Sequence, residues 1–406
     1  MKRVSVILAL AAFSILSSCE KETGNGALLK IFGDAYEDRA HSVAESEGDI
    51  IIAGLRTVIT RRDGNFIESS ERKLGIIRAT AGGSRKWEVT PGSASNDIAN
   101  KVIVLPSGDI MAAGYTTTGS GTSANTDIYI VRTDANGTLL WESVIGGVGN
   151  QSAADIAIKP GGGFMIAGVT DAYRAESGSF TENIAGMKDF FLLEISESGD
   201  SIASYAFGYG GNDICVAMKR DLGGGYIMYG TTDNSSEPGL EKNNLLLIRL
   251  NEDASNRGSA IIGDQADEYA ADFEVLPNGY FLAYTLGADN ETNQIGIRRM
   301  STNIQAAPVY KKSISVNGLS SKVNAIAAAP GGDWYLGGRA GTPTSSDILI
   351  LKVDPDGEPI GTPFISGGNG SQEIFDLRLS VTGDLIAVGK TGYENNTMMC
   401  LLKLKY

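Results

Sequence analysis

Apolar and polar positions along this chain recur in a block that repeats seven times. The clearest copies are SEGDIIIAG (46–54), PSGDIMAAG (106–114), PGGGFMIAG (160–168), LGGGYIMYG (222–230), PNGYFLAYT (277–285), PGGDWYLGG (330–338) and VTGDLIAVG (381–389). The turn glycines Gly48, Gly108, Gly162, Gly224, Gly279, Gly332 and Gly383 mark a period of 51 to 62 residues. Each copy reads as four short strands. The first is small and apolar, as in AADIAIKP (153–160) and VNAIAAAP (323–330). A glycine-bearing hairpin turn leads into the second strand, the segment quoted above. The third is an apolar run ending in a charge: LGIIR (74–78), IYIVR (128–132), FFLLE (190–194), LLLIR (245–249), IGIRR (295–299), ILILK (348–352) and MCLLK (399–403). A strand apolar on both faces must be covered on both, which suits the middle of a sheet packed between neighbouring sheets. The fourth strand is weaker, and two copies mark it with Trp87 and Trp141.

Four-stranded units at this period predict an all-β, seven-bladed β-propeller of antiparallel blades; a solenoid is the competing architecture. The chain ends favour the ring. The seventh copy stops after its third strand at Tyr406, while ALLKIFGD (27–34) resembles the fourth-strand endings LLWESVIGG (139–147) and IASYAFGYGG (202–211). The N-terminal strand is therefore expected to complete the last blade. Closure of this kind removes exposed strand edges.

The first 26 residues do not belong to that pattern. Lys2 and Arg3 precede an uncharged run, Val4 to Leu16, too short to span a bilayer as a helix and of the length of a signal-peptide core. It ends in Leu16-Ser17-Ser18-Cys19. This motif resembles a bacterial lipobox, which implies cleavage before Cys19 and lipid on its sulfur. The expected organisation is a lipoprotein signal peptide at 1–18, a flexible tether at 19–26 and the propeller at 27–406. The repeat resembles the seven-bladed propeller repeats of bacterial extracellular proteins, common in Bacteroidetes lipoproteins. That likeness implies an outer-membrane location, facing either the cell surface or the periplasm, with the membrane as partner through Cys19, and implies little about activity.

Composition narrows the chemistry. Without residues 1–18, 32 basic and 48 acidic residues remain, so nucleic acid is not an expected partner. His41 is the single histidine, which argues against imidazole catalysis and histidine-ligated metals. No cofactor and no metal are expected. Cys215 and Cys400 take positions filled by small or apolar residues in other copies, and read as core. Asp134-Ala135-Asn136-Gly137 and Asp354-Pro355-Asp356-Gly357 depart from calcium-loop spacing and read as turns.

One polar position does repeat. Eleven residues before each marker glycine stand Glu37, Asp97, Gln151, Asp213, Glu268, Ser321 and Gln372. These side chains either cap their own turns or ring a negative mouth of the channel that binds a cation, a basic group or sugar hydroxyls. On the same face, long connections at 56–72 and 170–188 carry Phe66, Tyr173 and Phe180, residue types suited to carbohydrate. The function expected is a non-catalytic, envelope-anchored binding scaffold for a glycan or a protein. The alternatives are a glycan-active enzyme using carboxylates at the mouth, or an outer-membrane assembly factor.

Overall fold

The computed structural model describes residues 20–23, 27–33, 36–63, 66–92, 96–119, 124–147, 149–171, 187–233, 242–264, 266–287, 292–393 and 396–405. Seven antiparallel sheets follow one another along the chain, at 39–89, 98–145, 151–207, 213–262, 268–314, 321–366 and 373–404, here called blades one to seven. Each has its strands side by side in chain order. The strand Ala27–Phe32 pairs with Asn396–Leu404 as the fourth strand of blade seven, so the two ends of the chain close the ring within one sheet. Glu20–Thr23, part of the stretch expected as a tether, adds a fifth strand outside Ala27–Phe32.

The core lies between blades. Ile51, Ala53, Leu74 and Ile76 of blade one pack with Val102, Ile110, Ala112, Tyr129 and Val131 of blade two. The second and third strands supply most of it, and Leu245, Leu246 and Leu247 are each fully buried. Their terminal charge has a fixed partner at the turn between strands one and two. Arg78 meets Asp49 at 2.7 Å, Arg132 meets Asp109 at 2.8 Å, Arg249 meets Asp221 at 2.7 Å, Lys352 meets Asp333 at 2.8 Å and Lys403 meets Asp384 at 3.0 Å. In blade three the signs are reversed, with Glu194 bound by Lys159. The Asp134 and Asp354 turns hold themselves: Asp134 Oδ1 accepts from the Asn136 and Thr138 N–H groups, and Asp354 Oδ1 from those of Asp356 and Glu358. Trp87 supports the next blade's turn, since a Cβ on Gly137 would come within 3.0 Å of its ring.

The first strands line the axis. Each carries a β-bulge at the same place, where two residues oppose one on strand two. The bulged residues are His41, Asn100, Ala154, Val216, Ala271, Asn324 and Phe375. Cys215 sits just before the bulge of blade four, and both Cys215 and Cys400 are buried free thiols.

Candidate functional site

Strand register corrects one member of the predicted polar ring. Ala40 pairs with Gly54 as Ala99 pairs with Gly114, so Asp38, not Glu37, is the counterpart of Asp97. Blade one turns through only two residues, Glu47 and Gly48, with φ of 53° and 81°. Counting back from the glycine therefore lands one residue early. Glu37 is partly exposed and binds Arg39 and Arg72.

Asp38, Asp97, Gln151, Asp213, Glu268, Ser321 and Gln372 are all buried, with at most 3% of their surface exposed. Gln151, Asp213 and Gln372 accept from the N–H four residues earlier, at Gly147, Tyr209 and Gly368. Asp97 accepts from Thr116 Oγ1, Asp38 from the Thr57 N–H, and Ser321 Oγ donates to the Leu319 carbonyl. Glu268 takes both terminal nitrogens of Arg298, at 2.6 and 2.8 Å. Their own N–H groups reach back to the preceding blade: Asp38 to Thr397 O, Asp97 to Arg72 O, Asp213 to Lys188 O, Glu268 to Asn243 O, Ser321 to Asn293 O and Gln372 to Ser346 O. These residues thus sit inside the joints between blades, not on an open rim. Tyr173, Phe180 and Cys19 lie outside the described residues. The connection at 56–72 is a continuation of the sheet, with Asp49–Asp63 and Phe66–Ala79 paired as one long hairpin; of the Phe66 side chain nothing is described.

A second set of joints forms at the bulges. Where the bulged residue is polar, it donates to the next blade: His41 Nδ1 to Ala99 O at 2.8 Å, Asn100 Nδ2 to Ala153 O at 2.8 Å, and Asn324 Nδ2 to Ile374 O at 2.7 Å. Where it is apolar in blades three, five and seven, the following residue is aspartate and accepts instead. Asp155 takes the Met218 N–H at 3.0 Å, Asp272 the Ile326 N–H at 3.1 Å, and Asp376 the Val43 N–H at 2.9 Å. Blade four has Val216 and Ala217 at these places, and its seam with blade five is bridged from strand two, where Thr231 Oγ1 accepts the Ala270 N–H at 2.8 Å. Sequence reasoning missed these aspartates, although the Asp of AADIAIKP and AADFEVLP stands out in runs otherwise small and apolar.

Beyond the bulges the axis opens into a cavity of about 490 Å³ whose lining includes Glu45, Lys101, Lys219, Asp272, Glu274, Asp376 and Arg378. It lies in the half of the propeller away from the strand-two to strand-three connections. Lys219 Nζ stands 2.6 Å from Glu274 and 3.9 Å from Asp272, and Lys101 Nζ 3.8 Å from Asp155. Asp155, with the more distant acids, raises the Lys101 ammonium above its usual range. Lys219 is raised too, since Asp272 and Glu274 outweigh the burial that opposes its charge. Burial pushes the Asp272 carboxyl up to about 6 against the pull of Lys219 and Lys101. His41 is held neutral, with burial lowering its imidazole to about 4.

No protein-family model and no curated protein sequence matches the chain. Solved structures do. A puromycin hydrolase aligns with 87% of this chain and 50% of its own, at 15% identity and a TM-score of 0.50. A glucose dehydrogenase aligns with 93% of this chain and 99% of its own, at 13% identity and a TM-score of 0.41. Sqt1 of Chaetomium thermophilum aligns with 91% and 97%, at 11% identity and a TM-score of 0.46. What they share with this chain is the propeller. At such identities the likeness extends to fold and not to chemistry.

Two protonated lysines held by carboxylates make the cavity a place for polar contacts. Such ammoniums donate hydrogen bonds and are poor nucleophiles, because attack needs the free amine.

Proposed function

We propose that this protein is an envelope-anchored bacterial lipoprotein whose propeller binds a glycan or another protein without transforming it. The observation that carries the binding reading is the pairing in the axial cavity. Its lysines face Asp155, Asp272 and Glu274, and Asp155, Asp272 and Asp376 are already engaged in joining blades. Groups committed to closing the ring are not set aside for proton transfer. The long hairpin of blade one supplies further surface for contacts at the other end of the axis. A glycan array screened with residues 20–406, followed by turnover assays on each hit, tests this. Bound sugars recovered intact support the reading, and cleaved or oxidised products refute it. Anchoring is tested separately. Replacing Cys19 with alanine should move the protein from the membrane fraction to the soluble one, and a wild type already soluble and free of lipid would end the lipoprotein reading.

A glycan-active enzyme is the second reading, favoured by one observation. Asp272, with its carboxyl near 6, shares the cavity with Glu274. Asp272→Asn abolishing turnover of an array hit would select it.

A further inference from the structure

The residue after each buried joint residue lies at the start of an inner strand, and in every blade but the fifth it pairs with the residue after the glycine that ends the repeat motif. In blades two to five these opening positions are Ile98, Ser152, Ile214 and Tyr269, and their partners are also uncharged. Blades six, seven and one differ. Lys322 pairs with Arg339, Glu373 pairs with Lys390, and Arg39 opens blade one.

Three cations thus gather around Glu373, and Arg39 lies beside them on a second carboxylate, Glu37, in a chain whose net charge is −14. Lys322 Nζ, Arg339 Nε and Lys390 Nζ each stand 3.7 Å from a Glu373 oxygen, beyond hydrogen-bond distance. The Glu373 oxygen facing Lys322 and Arg339 is taken by Asn324 Nδ2 at 2.8 Å. Arg339 is 5% exposed and places one guanidinium nitrogen on the Gly341 carbonyl. Arg39 uses one nitrogen on Glu37, while its buried Nε has no hydrogen-bond partner. Burial lowers the Lys390 ammonium; Glu373 opposes the shift, and the Arg39 and Arg339 guanidiniums add to it. Glu373, and the Glu37 that Arg39 shares with Arg72, leave an excess of positive charge, and partly buried cations held short of close contact, as around Glu373, are costly.

We propose that Arg39, Lys322, Arg339 and Lys390 form a site for an oxyanion, the phosphate, sulfate or carboxylate group of a ligand. Arginine forks and ammoniums are the donors that such groups take in charge-assisted hydrogen bonds. An anion seated among them also relieves the repulsion on Lys390. The site is separate from the axial cavity, and it stands whether or not the propeller is a glycan or protein scaffold.

The probes are inorganic sulfate, inorganic phosphate and glucuronate, each titrated calorimetrically into residues 20–406 at ionic strength held constant with chloride. Saturable binding near one equivalent is expected for at least one of them, with a rise in melting temperature. Lys390→Gln and Lys322→Gln should each weaken it by roughly fivefold or more, the loss of one charge-assisted contact. Glu373→Gln should strengthen it, because it removes the internal competitor. Lys352→Gln, at the opposite end of blade six, should leave it unchanged. The proposal is overturned if no probe binds beyond the chloride background. It is equally overturned if Lys390→Gln and Glu373→Gln move the affinity in the same direction or leave it unmoved.

Discussion

Asp189 and Asp213 meet in a joint where every comparable pair avoids two acids. A Cβ on Gly208 would come within 1.8 Å of Asp189 Oδ1 and 2.6 Å of Asp213 Oδ2, so the two carboxylates flank one glycine. At the equivalent glycines, Gly146 lies against Asp127 and Gly263 against Asn244, in joints whose other member is Gln151 or Glu268, and Gly367 lies between Asp347 and Gln372. Burial and the neighbouring Asp213 push Asp189 up to about 7, and burial pushes Asp213 up to about 6. Both values exceed the ordinary range near 4. The folded state therefore keeps protons that the unfolded chain releases, and this joint loses stability as pH rises from about 4 to about 7. Asp189→Asn should copy the blade-four arrangement. We expect it to gain on the order of 1 kcal/mol at pH 8, after allowance for solvent screening, and nothing at pH 4. Urea unfolding at the two pH values measures this, and a gain of equal size at both would contradict the proton-sharing account. The sequence displays Asp213 as a repeated polar position but hides its neighbour. Asp189 reads only as the edge of an apolar run, and the meeting of the two depends on how adjacent blades dock.

At the level of strands, the bulge explains the lone histidine. His41 does in blade one what Asn100 and Asn324 do in blades two and six, donating to the carbonyl just before the next blade's bulge. His41→Asn should then be tolerated within roughly 1 kcal/mol, whereas His41→Ala should cost about 2 kcal/mol by leaving the Ala99 carbonyl without its donor. Equal losses in thermal or urea melts would mean that edge packing of the ring on Phe375, not the hydrogen bond, is what matters. Strand count, strand order and hairpin turns were legible because they are written in periodicity and glycine. The bulges were not. An extra residue in a strand leaves the apolar pattern nearly intact, and its effect appears only when strand two fixes the register. The same limit displaced Glu37 by one position, since a two-residue turn and a three-residue turn both present a glycine.

For the whole molecule, the joined ends carry much of the stability. Phe32 and Ala27 are buried against the last blade, and six residues of the N-terminal strand pair with Asn396–Leu404. A chain starting at Ala27 should melt within about 2 °C of one starting at Glu20, because only the outermost strand is lost. A chain starting at Ala35 should lose several kcal/mol, or roughly 10 °C, since it uncovers an apolar edge and opens the ring. Similar melting temperatures for the two would count against closure as the stabilising device.

A closed ring also behaves as a chain of latches under load, and its first failure is set by the weakest of them. Six seams are latched at the bulge by the inner strand itself, three through a carboxylate and three through an imidazole or amide. Between blades four and five the bulge supplies no latch; the Thr231 hydroxyl reaches in from strand two, and farther along the inner strands Lys219 meets Glu274. A thermal fluctuation that parts the propeller is expected to begin there and leave the other seams shut. Hydrogen exchange should find the Ala270 amide the least protected of the amides that cross the seams, and Thr231→Val should speed that site alone. The molecule would then have a gate fixed by sequence, at the one blade whose bulge carries Val216 and Ala217 in place of a polar hand.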